Sequence, residues 1–220
     1  MKKLQNSLIL IFLSFYFIGC TSTQNINLIK EKAELGDKES QYKLGIYYRN
    51  NNNFSKAFEL YKQSASQNYP VAQNELGNCY LEGKGVKKDY EKALYWYTIS
   101  SKNNYFDAIN NLGYMYDLGL GVKEDNKKAI QFYEDAASKG SIRAMYNVSF
   151  LYKNGQGTSK NNIQAYKWLD LARYYTGTSK NMTLKWSIRK QLDNLKTIMS
   201  QKEIDEAINL ANEWYKGIIK

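Results

Sequence analysis

The chain of 220 residues contains no histidine, a single proline and two cysteines. Without histidine it has no HExxH zinc site, no Ser-His-Asp triad and no Cys-His dyad. One proline excludes a proline-rich linker or stalk. Hydrophobic residues make up 43% of the chain and charged residues 24%, which is typical of a globular protein. These absences favour a folded, non-catalytic protein that holds neither a metal nor another cofactor.

The first twenty residues are typical of an export signal. Lys2 and Lys3 precede an almost wholly apolar stretch, residues 8–18, which is shorter than the roughly 20 residues that a transmembrane helix needs. The stretch is followed by Gly19 and Cys20. This ending resembles the signal of bacterial lipoproteins, in which a small residue precedes a cysteine that is acylated and becomes the N-terminus.

The resemblance implies a signal peptide at residues 1–19, lipidation of Cys20 and a tether at residues 20–29. Thr21, rather than an aspartate, follows the cysteine, which by the same resemblance favours the outer membrane and a protein that faces the periplasm. Acyl chains such as palmitate would hold the protein on a bilayer, since each buried CH₂ contributes about 0.8 kcal/mol. An ordinary cleaved signal peptide and an uncleaved anchor are the alternatives.

Loss of the signal peptide changes the charge and the cysteine content. The full chain has a formal net charge of +10; residues 1–19 contain two lysines and no acidic residue, so the mature charge is +8. Once Cys20 is acylated, Cys79 is the one remaining thiol and no internal disulfide can form. We expect Cys79 to be a small core residue, with an intermolecular disulfide as the alternative.

Residue types recur along the chain with a period of 36, which indicates an array of structural repeats. Four alanines keep this period, an Asn or Asp precedes each of them by four residues, and a tyrosine follows the first three by four residues. These positions are Ala57, Ala93, Ala129 and Ala165, then Asn53, Asp89, Asp125 and Asn161, then Tyr61, Tyr97 and Tyr133. We expect the repeated tyrosines to be structural.

Each block predicts two helices, as the block at residues 106–141 illustrates. A glycine inside a helix costs about 1 kcal/mol, so Gly113 predicts that a neighbouring helix approaches closely. Gly119 and Gly121 end the first helix, because glycine accepts the left-handed cap conformation. Asp125 is the expected N-cap of the second helix. One pair cannot bury its own apolar face, so successive pairs must stack.

The pattern Ala-x3-Leu-Gly-x2-Tyr-x2-Gly-x-Gly-Val-x3-Asp-x3-Ala-x2-Trp/Phe-Tyr resembles the Sel-one-like (Sel1-like) repeat, a relative of the tetratricopeptide repeat. Residues 70–105 and 106–141 match it nearly throughout, whereas residues 38–69 and 142–177 match in fewer positions. The resemblance covers about residues 30–177. It implies an all-α fold, a right-handed α/α superhelical solenoid of helix pairs, and relatives of this kind mostly bind other proteins rather than catalyse reactions.

Residues 178–220 predict a pair of capping helices. Ser200 and Glu203 have the spacing of a capping box, and Met199 and Ile204 are placed as a hydrophobic staple around it. Family members often end in such a helix pair, which shields the last repeat from water.

Resemblance to tetratricopeptide repeats also implies a partner-binding surface. In those relatives the concave side of the solenoid uses positions two and five residues before and after the leucine of each first helix. No catalytic or metal-binding residue is predicted. Carried over to this chain, the concave positions predict the partner-binding residues Tyr42, Arg49, Asn74, Asn78, Asp107, Asn110, Tyr114, Asp117, Arg143 and Tyr146.

These features together predict a non-catalytic, membrane-anchored interaction module of the bacterial cell envelope, with a partner in the concave groove. The partner would be another envelope protein or a secreted effector. An immunity lipoprotein that neutralises a secreted toxin, such as a phospholipase effector, is the first alternative, since a mature charge of +8 would suit an acidic toxin. A toxin gene beside the gene for this chain would distinguish the two.

A β-lactam-binding hydrolase is a further alternative. Ser40 and Lys43, and also Ser187 and Lys190, have the Ser-x-x-Lys spacing of penicillin-recognising enzymes, and some cysteine-rich relatives are linked to β-lactams. The accompanying Lys-Thr-Gly and Ser-Asp-Asn motifs and the paired cysteines are missing. Nucleic acid is not an expected partner, because the lysines are spread along the chain rather than clustered.

Overall fold

The computed structural model describes residues 25–177 and 181–218, and the regular structure in this part of the chain is entirely α-helical. The predicted signal peptide at residues 1–19 and Cys20 lie outside the described residues. The helices are α1 (25–34), α2 (Lys38–Asn50), α3 (Phe54–Ser66), α4 (Pro70–Glu82), α5 (Tyr90–Lys102), α6 (Phe106–Leu118), α7 (Asn126–Ser138), α8 (Ile142–Asn154), α9 (Asn162–Tyr175), α10 (Met182–Lys196) and α11 (Gln201–Ile218).

Helix α1 begins inside the predicted tether. Residues 25–29 are helical, because Ile26, Ile29 and Ala33 share one side of the helix and Ala33 is buried. The carbonyl oxygen of Ala33 accepts a hydrogen bond from the side-chain amide of Gln41 in α2, with an N–O distance of 3.3 Å. Residues 25–29 of the predicted tether thus form the first part of α1.

The second helix of each repeat begins at the residue that the sequence predicts. Asn53, Asp89, Asp125 and Asn161 are the N-caps of α3, α5, α7 and α9. Each side-chain oxygen accepts a hydrogen bond from the backbone amide three residues later, at N–O distances between 2.9 and 3.2 Å. The cap predictions are confirmed.

The Gly-x-Gly loops end α4, α6 and α8. Their first glycines, at positions 83, 119 and 155, are left-handed C-caps with φ between 64° and 75°. The second glycines touch the backbone at the start of a neighbouring helix. A Cβ on Gly121 would lie 2.7 Å from the carbonyl carbon of Tyr90, and Gly85 and Gly157 are confined in the same way by the backbones of Phe54 and Asn126.

The described helices form two compact units, one that ends at Lys88 and one that begins at Asp89. In the first unit α2 packs against α3, and α3 packs against α4. In the second unit each of α5 to α9 packs against the next helix in the chain, and α9 contacts both α10 and α11. The fold class is thus the all-α solenoid of stacked helix pairs that the sequence predicts.

A tyrosine ring lies on a glycine where the two helices of a pair cross. In the first unit a Cβ on Gly45 would lie 2.5 Å from Cε1 of Tyr61, and in the second a Cβ on Gly113 would lie 2.6 Å from Cδ1 of Tyr133. Both tyrosines are fully buried. The close approach that the helix glycine predicts is therefore made by an aromatic ring of the partner helix.

The pair α8–α9 differs from the others at both of these positions. Ser149 replaces the helix glycine and Leu169 replaces the tyrosine, and both side chains are buried. The hydroxyl of Ser149 donates a hydrogen bond to the carbonyl oxygen of Tyr146 on its own helix, with an O–O distance of 2.6 Å. Where serine replaces the helix glycine and adds a Cβ, the facing helix thus carries leucine, which is smaller than tyrosine.

The C-terminal helices close the second unit. The backbone amide of Ser200 donates to the carboxylate of Glu203 at 2.8 Å, and the amide of Glu203 donates to the hydroxyl of Ser200 at 3.4 Å, so the predicted capping box is confirmed. Trp214 of α11 meets Trp168 of α9 edge to face, with ring centroids 5.4 Å apart. This contact extends the apolar core of the second unit into α11.

Gly113→Ala tests the crowding between α6 and α7. We expect a net loss of about 1–2 kcal/mol from the free energy of unfolding, because overpacking against Tyr133 outweighs the better helix propensity of alanine. The pair Gly113→Ser with Tyr133→Leu reproduces the residues of α8–α9. Its loss should be smaller than the sum of the two single losses by about 1 kcal/mol in urea unfolding followed by circular dichroism. Strictly additive losses would contradict the contact.

Tyr133 also links α7 to Asp117 at the end of α6. Its hydroxyl donates a hydrogen bond to the carboxylate, with an O–O distance of 3.3 Å. Burial raises the pKa of Asp117 above its ordinary value, and the hydrogen bond from Tyr133 offsets part of this effect. By contrast, the hydrogen bond from the backbone amide of Lys92 lowers the pKa of the half-buried N-cap Asp89.

The stabilities of Asp117→Asn and Asp89→Asn, each measured relative to the parent chain, should therefore change with pH in opposite directions. A raised pKa favours the folded protein at acidic pH, and that stability is lost as the pH rises through the folded pKa. Asp117→Asn should thus gain stability relative to the parent chain between pH 3.5 and pH 7. Asp89→Asn should lose relative stability over the same range. Urea midpoints at the two pH values measure both, and shifts of the same sign would contradict the assignment.

Candidate interaction surface

The predicted partner-binding residues lie on the first helix of each repeat. In the first unit they belong to α2 and α4, and in the second unit to α6 and α8. Spacings of three and four residues put the members of one set on a single side of their helix. The exposure and the hydrogen bonds of these residues differ from one helix to the next. Both properties decide which of the residues a partner can reach.

In the first unit, most of the predicted residues are engaged within the fold. The ring of Tyr42 lies between those of Tyr61 and Tyr69, with centroid distances of 6.0 and 5.6 Å. The guanidinium of Arg49 pairs with the carboxylate of Glu75 at 2.8 Å. Asn74 is only 3% exposed. Asn78 is half-buried and Arg49 keeps part of its side chain in solvent, so these two remain within reach of a partner.

In the second unit, Asn110 connects two of the first helices. Its side-chain oxygen accepts a hydrogen bond from the side-chain amide of Asn147 in α8, with an N–O distance of 3.1 Å. Asn110 is 5% exposed, so little of it is left for a partner. The hydrogen bond between Asn110 of α6 and Asn147 of α8 shows that these helices are neighbours. A polar residue at a predicted binding position therefore joins helices instead.

The remaining predicted residues of α6 are more accessible. Tyr114 is 38% exposed. Asp107 is half-buried and accepts a hydrogen bond from the hydroxyl of Tyr105 at 3.1 Å. Asp117 is half-buried and already accepts one from Tyr133. Tyr114 is thus the aromatic side chain that α6 offers to a partner.

Helix α8 offers an arginine and two aromatic rings. Arg143 is exposed, Tyr146 is half-buried and Phe150 is 42% exposed. The rings of Tyr146 and Phe150 are 6.4 Å apart between centroids. Tyr and Arg are common anchors of protein interfaces, because each buries much area and keeps a polar group to donate hydrogen bonds.

Sequence reasoning missed the contribution of α10. Trp186 is 63% exposed, and the ammonium of Lys190 lies over its ring, 4.9 Å from the centroid. Both residues are two positions from the buried Ile188, just as Tyr146 and Phe150 are two positions from Val148. That offset was the available signal. The repeat motif does not reveal it, because the C-terminal segment lacks that motif.

A hydrogen bond shows that α10 lies beside α8. The ammonium of Lys153 in α8 donates to the side-chain oxygen of Gln191 in α10 at 2.8 Å. Three neighbouring helices of the second unit, α6, α8 and α10, thus carry exposed rings two positions before or after a buried apolar residue. We call this surface the aromatic face, and it consists of Tyr114, Arg143, Tyr146, Phe150, Trp186 and Lys190.

The two Ser-x-x-Lys matches lack the geometry of a catalytic pair. Ser40 is buried in the first turn of α2, and Glu39 binds the ammonium of Lys43 and raises its pKa, which is the opposite of what a general base requires. Lys190 is the residue that lies over Trp186. Within residues 25–177 and 181–218, no cluster of three or more acidic, cysteine or histidine side chains could hold a metal ion.

Burial also explains the chemistry of Cys79. The thiol lies in the core of the first unit, and desolvation raises its pKa to about 12. A protonated thiol is a poor nucleophile at neutral pH. Cys79 is thus the small core residue that the sequence predicts.

None of the helices in the described part of the chain is long and apolar enough to cross a membrane.

Solved structures with the same helix arrangement support the fold. The chain is similar to a Sel1 repeat protein from Oxalobacter formigenes, at 26% identity and a TM-score of 0.67, over 86% of this chain and 78% of that one. It is also similar to c5321, a protective antigen of uropathogenic Escherichia coli with an SLR fold, at 24% identity and a TM-score of 0.64. That match covers 88% of this chain and 48% of c5321, so this chain spans about half the length of c5321.

A family model accounts for most of the described residues. The Sel1 repeat matches at residues 38–69, 70–105, 106–141 and 142–175. The curated proteins contain no match to this chain. Sel1 repeats typically mediate protein–protein interactions, and proteins built from them are generally non-catalytic scaffolds. Because the four matched segments cover more than half of its length, this chain belongs to the Sel1 repeat family.

Proposed function

We propose that this protein is a membrane-anchored, non-catalytic interaction module of the bacterial cell envelope, and that its aromatic face binds another envelope protein or a secreted effector. The observation that carries the proposal is the exposure of aromatic rings on three neighbouring helices, α6, α8 and α10. Exposed aromatic side chains on neighbouring helices are costly in water and favour a protein partner.

The charges around the aromatic face favour a polar rim on the partner. Arg143 and Lys190 are exposed cations on α8 and α10, whereas Asp107 lies on α6. Charged groups at the edge of an interface steer association and select the partner more than they add affinity. A partner with apolar side chains between acidic ones would match the exposed rings and the two cations of the aromatic face.

The place of action in the proposal follows from the N-terminal sequence. A lipid on Cys20 would keep the mature protein at the membrane, and the residue after the cysteine favours the outer membrane with the repeats in the periplasm. A solenoid held there by a lipid would present its aromatic face to other envelope proteins.

Replacing Tyr114 and Tyr146 together with alanine tests the aromatic face. We expect capture of the specific partner from crosslinked cells, measured by affinity purification and mass spectrometry, to fall at least about tenfold, because interface tyrosines commonly contribute 1–2 kcal/mol or more each. Far-ultraviolet circular dichroism and the urea midpoint should show that the variant is folded.

The matched control for this experiment is Tyr95→Ala. Tyr95 is 59% exposed but lies on α5, the second helix of its repeat, and is not part of the aromatic face. Its replacement should leave capture unchanged. The proposal fails if the double variant is folded and still captures the same partner, or if Tyr95→Ala reduces capture equally.

Cys20→Ala tests the membrane anchor. We expect cells fed with radiolabelled or alkyne-tagged palmitate to label the parent protein and not this variant, and we expect the variant to leave the membrane fraction. Cys79→Ala is the control, since the buried thiol of Cys79 should not carry lipid. Label that persists in Cys20→Ala would refute the anchor while leaving the interaction surface to be judged separately.

A further inference from the structure

A cavity of about 640 Å³ lies between α9, α10 and α11 at the C-terminal end of the second unit. We call it the C-terminal cavity. Its volume is within the range of small-molecule sites. It is separate from the aromatic rings of the proposed interaction surface, none of which lines it. Its walls combine charged side chains with an apolar floor.

The charged groups of the cavity do not balance. Four cations line it, Arg173, Lys185, Arg189 and Lys196, and two carboxylates, Asp170 and Asp193. Asp170 accepts hydrogen bonds from Nε and Nη2 of Arg173, at 3.0 and 2.7 Å. A carboxylate oxygen of Asp193 lies 3.9 Å from the ammonium of Lys196. Each carboxylate is therefore matched by one cation.

The other two cations keep their positive charge uncompensated. The ammonium of Lys185 donates to the carbonyl oxygen of Gly177 at 3.1 Å, which is a neutral partner. Arg189 forms no hydrogen bond or ion pair with any residue in the described part of the chain. Its guanidinium presents a planar fork of donors that matches the oxygens of an oxyanion. The cavity thus carries two unneutralised positive charges.

The floor of the cavity adds a hydroxyl and apolar surface. Tyr166 is almost fully buried, and desolvation raises its pKa, so its phenol stays protonated and can donate a hydrogen bond. Its hydroxyl makes no hydrogen bond with the described residues. Leu192 and Ile208 supply the apolar part of the lining. A ligand with one anionic group and a small apolar body would fit both parts.

We propose that the C-terminal cavity binds a phosphate monoester, with Arg189 and Lys185 on the phosphoryl oxygens and the hydroxyl of Tyr166 as a third donor. A phosphate monoester carries a charge of about −1.5 to −2 at neutral pH, which matches the two uncompensated cations. A monocarboxylate would leave one of them unneutralised. The ester could belong to a soluble metabolite or to a phospholipid such as a phosphatidate, since the recognised group is the same.

Titration calorimetry of the intact protein in a non-ionic detergent tests the site, with inorganic phosphate and glycerol 3-phosphate as probes. We expect saturable binding that weakens as sodium chloride is raised from 50 to 500 mM, because salt screens the charges of Arg189 and Lys185. Arg189→Gln and Lys185→Gln should each weaken binding about tenfold or more, as for the loss of a charge-assisted hydrogen bond. Tyr166→Phe should weaken it severalfold without unfolding the protein.

Lys190→Gln is the matched control. It removes a cation from the residue next to Arg189, and Lys190 does not line the C-terminal cavity. Binding should be nearly unchanged. The proposal is overturned if neither probe binds saturably, or if Lys190→Gln weakens binding as much as Arg189→Gln, which would indicate diffuse surface charge.

A soluble short-chain phosphatidate, used below its micelle concentration, distinguishes the two sources of the phosphoryl group. Tighter binding than glycerol 3-phosphate, abolished by Arg189→Gln, would assign a lipid ligand. Equal binding of the two would assign a soluble ester. Binding of the phosphatidate that survives Arg189→Gln, with no binding of glycerol 3-phosphate, would place the lipid elsewhere and refute the site. None of these outcomes depends on partner capture by Tyr114 and Tyr146.

Discussion

The contact between a buried tyrosine ring and a helix glycine sets how closely the two helices of a repeat approach. Tyr61 on Gly45 and Tyr133 on Gly113 leave no space for a methyl group. The stacking of one pair on the next depends on helices held at that distance. In α8–α9 a different residue pair fills the corresponding space, with Ser149 in place of the glycine and Leu169 in place of the tyrosine. The volume of the two facing residues, rather than either identity, is what the packing constrains.

Local chemistry explains why so much of the fold could be predicted from the sequence. Asp125 caps a helix and Gly119 ends one through hydrogen bonds and dihedral angles of a few neighbouring residues, and the repeats present these residues several times. Helix α1 was missed because its short apolar side stands in an Asn-rich segment that resembles a tether. The burial of Ala33 against α2 depends on a tertiary contact, which composition does not report.

The candidate surface was harder to predict, because exposure depends on neighbouring helices. Position along the helix identified Tyr114 and Tyr146, yet the same rule selected Asn110, which the structure places in a hydrogen bond between α6 and α8. A polar side chain on a helix indicates a solvent-exposed position only when no polar group of a neighbouring helix can form a hydrogen bond with it. Trp186 was missed for the converse reason. Its helix, α10, contains none of the repeat residues. The position of α10 beside α8, shown by the hydrogen bond between Lys153 and Gln191, is visible only in the three-dimensional structure.

The second glycine of each Gly-x-Gly loop lies on main-chain atoms of a neighbouring helix, and at Gly85 the Cβ of Phe58 is close as well. Gly121 lies on the backbone of Tyr90, and Gly157 lies on the backbone of Asn126. A junction that depends mainly on backbone atoms places little demand on the identity of the side chains that meet there. Copies of a repeat can therefore be joined, exchanged or added while their other surfaces diverge.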